Sequence, residues 1–222
     1  EGDDRLQRPL LRQPSGALEP TDWTTALPRL AERVSAAGGP SALRFFVSAH
    51  ASIEEFFLIG RLGGAFGLPE DGVAISWRDR EKPQPPNTKF SIPPVDAPNV
   101  TGAADLGFPV PSKQGQPDVA QFRSAVGQGS VAALYVFDPG PEGYIGDVSW
   151  IIEARQQGRL KLLVVQGVLM TPLAKAADVV LPGSSWLEKH ATYVNGGGRL
   201  QAASRAINPP GEARDDWQVF VS

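Results

Sequence analysis

The chain has 222 residues, of which 21 are Lys or Arg and 24 Asp or Glu, giving a formal charge of −3, and 41% of it is hydrophobic. That length supports one large domain or two small ones around a real core, and the composition excludes disorder and fibrous repeats in spite of 24 Gly and 21 Pro. The absence of cysteine excludes a disulfide, a thiolate zinc site, an iron–sulfur cluster and a cysteine nucleophile in this chain, and no Lys/Arg run exceeds two residues, which argues against nucleic acid as a partner.

From the amino terminus, Glu1-Gly2-Asp3-Asp4 is acidic and lacks an initiator Met, so it reads as a piece of a longer protein without an export signal. Arg5 to Arg12 mixes basic and apolar residues before the turn Pro14-Ser15-Gly16 and reads as an extended arm. Thr21 or Asp22 then caps a helix in which Trp23, Ala26, Leu27, Leu30, Ala31 and Val34 recur at helical spacing, with Pro28 in its first turn or at a kink and Gly38-Gly39-Pro40 as its stop. Ala42 to Ala49 reads as a buried strand, Ser52 starts a helix reaching Gly67, and Val73 to Trp77 is a second short strand.

Six prolines follow between Pro83 and Pro98, which forbids a central strand or helix interior. We expect a single α/β domain over 1–222, open to division into two lobes, 1–80 and 115–222, joined by a Pro-rich segment 81–114. Regular structure resumes with a helix over Asp118 to Val126, a strand from Ala132 to Phe137, a helix from about Gly146 to Gln157 and a strand from Leu160 to Gln166. Thr171 to Ala177 reads as a short helix, Asp178 to Leu181 as a strand, and Asn195-Gly196-Gly197-Gly198 as the turn of a hairpin, with regular structure ending at Pro209-Pro210-Gly211. The expected fold is a three-layer αβα arrangement on a mainly parallel sheet, with a long Pro-rich connection and a C-terminal hairpin. Its apolar runs are strand-length, so no direct membrane insertion is expected.

For chemistry, His50 and His190 are the only histidines, each near a Glu (Glu54, Glu188) but without further ligands at metal spacing, and both read as structural groups. The glycine-rich run from Gly60 to Gly67 closes a helix where a phosphate loop would open one, and Gly196 to Gly198 precede no helix. No Ser-His-Asp set, paired carboxylates or metal cluster can be assembled from sequence neighbours, so no catalytic or metal residue is expected. The loops after the strands ending at Phe137 and Gln166 are the best ligand-site candidates, because open α/β sheets bind at the carboxyl ends of their strands.

From Leu162 onward a strand ends in Gln166 and is followed by Thr171, Ala174, Ala177, Asp178, Pro182, Glu188, Thr192, Asn195, Arg199 and Gln201. In these residues and their order the chain resembles the molybdopterin oxidoreductase superfamily. The ending Ala206 to Trp217 and the opening Asp4 to Leu10 are similar to the large iron–sulfur subunit of the NADH–quinone oxidoreductases, the respiratory complex I branch of that superfamily. Two departures stand out: Gly167 where the family usually carries an acidic residue, and a short proline-rich passage where it has a long central α/β portion.

The resemblance implies a non-catalytic structural domain of a respiratory electron-transfer complex that passes electrons from NADH to quinone. Iron–sulfur clusters are then expected in a preceding region and no cofactor in this chain. The implied partners are the other subunits of the peripheral arm, on the cytoplasmic side of the inner membrane. Thr171, Glu188, Asn195 and Arg199 are expected to hold the strand–helix–hairpin together. The alternative is a fragment of a formate dehydrogenase-like oxidoreductase binding molybdopterin guanine dinucleotide, with Asp138, Gln166, Thr171, Glu188 and Asn195 as remnants of a pterin site.

Overall fold

The computed structural model describes residues 2, 4–110 and 118–222. Its centre is a seven-stranded sheet in the order β2-β1-β7-β6-β5-β3-β4. The strands are β1 (Leu10–Arg12), β2 (Leu18–Pro20), β3 (Leu43–Ser48), β4 (Val73–Ser76), β5 (Ala133–Phe137), β6 (Leu162–Gly167) and β7 (Val179–Pro182). The five from β3 to β7 run parallel, and β1 joins β7 and β2 antiparallel. Strands β8 (Ala191–Val194) and β9 (Leu200–Ala203) form the separate C-terminal hairpin.

Side chains alternate across the central strands and feed two cores. From β5, Ala133, Tyr135 and Phe137 enter one core with Leu162 and Val164 of β6, while Leu134 and Val136 enter the other with Leu163 and Val165. The first core is closed by α1 (Trp23–Ala36), α2 (Ile53–Phe66), α3 (Val100–Asp105) and α7 (Asp216–Phe220), the second by α4 (Ala120–Gly127), α5 (Ser149–Gln156) and α6 (Pro172–Ala176). Burial on both faces explains why β3, β5 and β6 are near-continuous apolar runs without polar alternation. The molecule is therefore three-layered, as read from the sequence.

The starts of α1 and α2 follow their caps. The Asp22 side chain accepts from Thr25 N, and Ser52 and Glu55 form a reciprocal capping box on α2. Pro28 lies inside α1 beyond its first turn, on the exposed side.

Several expectations are corrected. The amino-terminal arm supplies β1, which is bound into the sheet by β7. Helix α5 starts at Ser149 and not near Gly146, because Gly146 has φ +80 and the Asp147 carboxylate accepts from Ser149 N at 2.9 Å. Regular structure does not end at Pro209-Pro210-Gly211, since α7 follows and packs Phe220 against Tyr135 and Phe137.

The proline-rich stretch folds back on itself through backbone bonds Arg80 N to Pro94 O and Asp96 N to Arg78 O, with Asp96 held by Lys82 and Arg80. It leads into α3, which the sequence reading placed in loop. Residues 111–114 of the expected 81–114 connection, and residues 115–117 at the start of the expected 115–222 lobe, lie outside the described residues. Strands from both sides of that connection, β3 and β5, are hydrogen-bonded neighbours.

Candidate functional site

The order of strands locates a crevice. After β3 the chain adds β4 on one side, then crosses over to add β5 on the other and continues outward to β6 and β7. Above the carboxyl ends of β3 and β5 the loops therefore leave in opposite directions and a gap opens between them. A cleft of about 500 Å³ lies there, lined by His50, Asp138, Tyr144, Trp186, Lys189 and Tyr193 among others.

His50 lies two residues beyond the end of β3. Its ring stacks on Tyr144 at 3.7 Å between centroids, and its Nδ1 lies 3.1 Å from Ser48 Oγ. Burial pushes its pKa down to about 4, with Asp96 opposing weakly, so the ring is neutral at pH 7. Gly140, at φ +60, allows the stack, because a Cβ there would lie 2.0 Å from the Tyr144 ring.

Asp138 follows β5 with φ +47, a left-handed conformation uncommon outside glycine and one that Asp tolerates better than most residues. Its backbone N donates to Gln166 O at 2.8 Å. Burial raises its carboxyl pKa to about 6, with Lys189 lowering it and Asp216 raising it. Gly167, the departure noted in the sequence, has a steric reason: a Cβ at that position would lie 3.1 Å from Pro139 Cδ, so an acidic side chain would press on the Asp138 loop.

Beneath the cleft lies a charged cluster. Lys189, 3% exposed, donates to Glu55 Oε1 at 2.6 Å and Asp216 Oδ2 at 3.0 Å, and both carboxylates are as deeply buried. The second Glu55 oxygen accepts from Ser52 N, at the start of α2. Asp216 Oδ1 accepts from Gln166 Nε2 at 2.8 Å, and Gln166 Oε1 accepts from the Tyr135 hydroxyl. Gly183 gives Asp216 its room, since a Cβ there would meet Oδ1 at 2.1 Å.

Burial pulls the Lys189 ammonium toward neutrality, but Asp216, Glu55 and Asp138 outweigh it and hold its pKa well above the usual lysine value. Burial likewise raises Glu55, an effect that Asp216 reinforces and Lys189 opposes. One cation shared by two carboxylates, with a third nearby, leaves the cluster short of positive charge and ready to hold a proton.

The remaining sequence candidates have structural positions. Thr171 caps α6 by accepting from Ala174 N, and Glu188 accepts from Ser185 N and from Arg5, whose guanidinium also donates to Val168 O and Gly183 O. Asn195 Oδ1 accepts from Gly197 N and Arg199 N in the hairpin turn. The Arg199 side chain is exposed, so only its backbone takes part in that turn. Glu54 accepts from Thr192 instead of meeting His50, and Glu188 pairs with Arg5 instead of His190. The structure places Asp138 at the cleft and Gln166 in the buried network beneath it, and the sequence reading missed the Lys189, Glu55 and Asp216 cluster, whose members are separated by up to 161 residues and share no local motif. Among the described residues no group of three or more His, Asp or Glu is arranged to hold a metal.

Comparison with known proteins gives the family. The chain is 41% identical over 91 residues to the F420-dependent formate dehydrogenase subunit alpha of Methanocaldococcus jannaschii, covering 41% of this chain and 13% of that protein. It is 35% identical over 115 residues to the NADPH-Fe(3+) oxidoreductase subunit alpha of Geobacter sulfurreducens, covering 52% and 13%. Over 47 residues it is 59% identical to the mitochondrial NADH-ubiquinone oxidoreductase 78 kDa subunit of Candida albicans, covering 21% and 6%. These matches span only a small part of the relatives' lengths. The molybdopterin oxidoreductase family model matches residues 101–222, more than half of the sequence, and the chain belongs to the molybdopterin oxidoreductase family.

Proposed function

We propose that this chain is a structural, non-catalytic domain of the large iron–sulfur subunit of an NADH–quinone oxidoreductase, docked among the other subunits of the peripheral arm at the cytoplasmic face of the membrane. The 59% identity over 47 residues to the 78 kDa subunit supports this assignment. The observation that carries the non-catalytic part is the charge of the cleft. A pterin nucleotide brings a pyrophosphate, which is bound by free cations or by backbone N–H groups at a helix N-terminus. Among the described residues Lys189 is the only cation lining the cleft, and it is already committed to Glu55 and Asp216, with Asp138 adding a further carboxyl group. These residues do not fit a pyrophosphate.

In this reading the chain contributes rigidity and shape, and the clusters that carry electrons reside in a preceding region of the full protein. The test is elemental analysis of the purified chain for molybdenum together with fluorescence of released pterin. Background levels of both are the expected outcome; stoichiometric cofactor refutes the proposal. It would favour the alternative, a pterin-nucleotide-binding portion of a formate dehydrogenase-like enzyme, which the 41% identity to a formate dehydrogenase alpha subunit supports.

A further inference from the structure

At the opposite, amino-terminal ends of the parallel strands the charge balance reverses. A hollow of about 410 Å³ is lined by Arg12, Arg33, Arg155, Lys161 and Asp178, where β1, the carboxyl end of α1 and the start of β6 meet. Four cations face a single carboxylate, and Arg155 already takes that carboxylate through two of its nitrogens. The end of α1 adds about half a negative charge at most, so the hollow stays positive.

The Arg12 and Arg33 guanidinium groups are fixed by backbone carbonyls, which leave their charge uncancelled. Arg12 donates to the carbonyls of Ala177, Gly16 and Lys175, and Arg33 to those of Asp178 and Arg12. A guanidinium has five N–H donors, so each keeps some in reserve. Lys161 is exposed at the rim and makes no side-chain hydrogen bond or ion pair among the described residues. Immobilised planar forks with spare donors, beside a free ammonium, are the donor set that a multivalent oxyanion selects.

We propose that this hollow is a binding site for a phosphoryl group, distinct from the cleft at the carboxyl ends of the strands and independent of the function proposed above. Its volume exceeds that of a bare oxyanion and leaves room for the organic part of a phosphate ester. The carbonyl bonds hold the arginines in place beforehand, so binding orders few side chains.

The test is thermal unfolding of the 222-residue chain with inorganic phosphate, ribose 5-phosphate or sodium chloride, all at one ionic strength. The expected result is a saturable rise in midpoint with phosphate of about 5–10 °C at a hundredfold excess over the dissociation constant, absent with chloride. A tighter response to ribose 5-phosphate identifies an ester as the better ligand, and an equal one identifies free phosphate as sufficient. Lys161→Glu should weaken the response by roughly tenfold or more. Lys89→Glu makes the same charge change on the exposed proline-rich segment and should leave it unchanged. Arg33→Gln should abolish the response, and because that arginine also ties α1 to the sheet edge, the Lys161 and Lys89 pair decides the matter if Arg33→Gln does not fold. No saturable rise, an equal rise with chloride, or equal weakening by the two lysine variants overturns the proposal.

Discussion

Lys189→Met tests whether the buried cluster is held by one shared cation. Methionine approximates the lysine stem in volume, so packing changes little, but Glu55 and Asp216 are left 1% and 2% exposed with no counter-charge. Two charge-assisted hydrogen bonds, at 2.6 and 3.0 Å, are lost. Removing one partner from a buried ion pair costs about 3–5 kcal/mol, and the second carboxylate places the loss at the upper end. For a chain of this size that lowers the thermal midpoint by roughly 10 °C or more. The loss must depend on pH: without Lys189 the two carboxyl groups bind protons more readily when folded than when unfolded, so the variant regains stability as pH falls. Urea unfolding at pH 8 and pH 5 should give a deficit several-fold larger at pH 8. A deficit below about 1 kcal/mol at pH 8, or one equal at the two pH values, refutes the shared-cation account.

Three further outcomes follow from the cleft. Asp138 carries a pKa raised to about 6 in the fold, so the folded state holds the extra proton between the unfolded carboxyl value and pH 6, and stability falls as pH rises through that window; Asp138→Asn should stabilise by about 1–3 kcal/mol at pH 8 and by nothing at pH 3.5. His50, lowered to about 4, acts in the opposite sense, with stability lost as pH falls from the unfolded histidine value toward 4; His50→Phe should therefore lose less stability than the parent between pH 7 and pH 5, as chemical denaturation will read. Gly140→Ala forces a Cβ to 2.0 Å from the Tyr144 ring at φ +60; a stability loss of at least about 2 kcal/mol with altered near-ultraviolet tyrosine dichroism is expected, and a neutral result contradicts the stacked geometry.

The parts of the fold legible in the sequence are those determined within a few residues. Asp22 and Ser52 announce α1 and α2 by local hydrogen bonding, and the apolar runs of β3, β5 and β6 announce strands buried on both faces. Strand β1 is three residues long, and its place in the main sheet is not legible locally, since Leu10 and Leu11 gain their pairing from β7 far along the chain. Helix α3 contains Gly102 and has no side-chain cap; Asn99, at its start, is anchored by donating to Ala51 O and accepting from Val194 N. Helix α7 is five residues long and forms where Phe220 finds Tyr135 and Phe137. The candidate site divides the same way. Asp138 directly follows β5 and Gln166 lies at the end of β6, positions that can be read locally, whereas Lys189 acquires its meaning only when α2 and α7 bring Glu55 and Asp216 to it.

The position of β1, between β2 and β7, also sets an order of events during synthesis. Leu10 pairs with Val180, so about 170 residues are translated between the two halves of that ladder, roughly ten to thirty seconds at ordinary elongation rates. Throughout that interval β1 can pair with β2 but not with β7, while β3 and β4 can already pair and β5 and β6 add to them in turn. Its later neighbours Arg5 and Trp23 likewise wait for Glu188 and for the Glu212 carbonyl. The beginning of the chain is thus closed over a finished sheet, and β7 makes its pairing with β6 before the strand that covers its other edge has a place to bind.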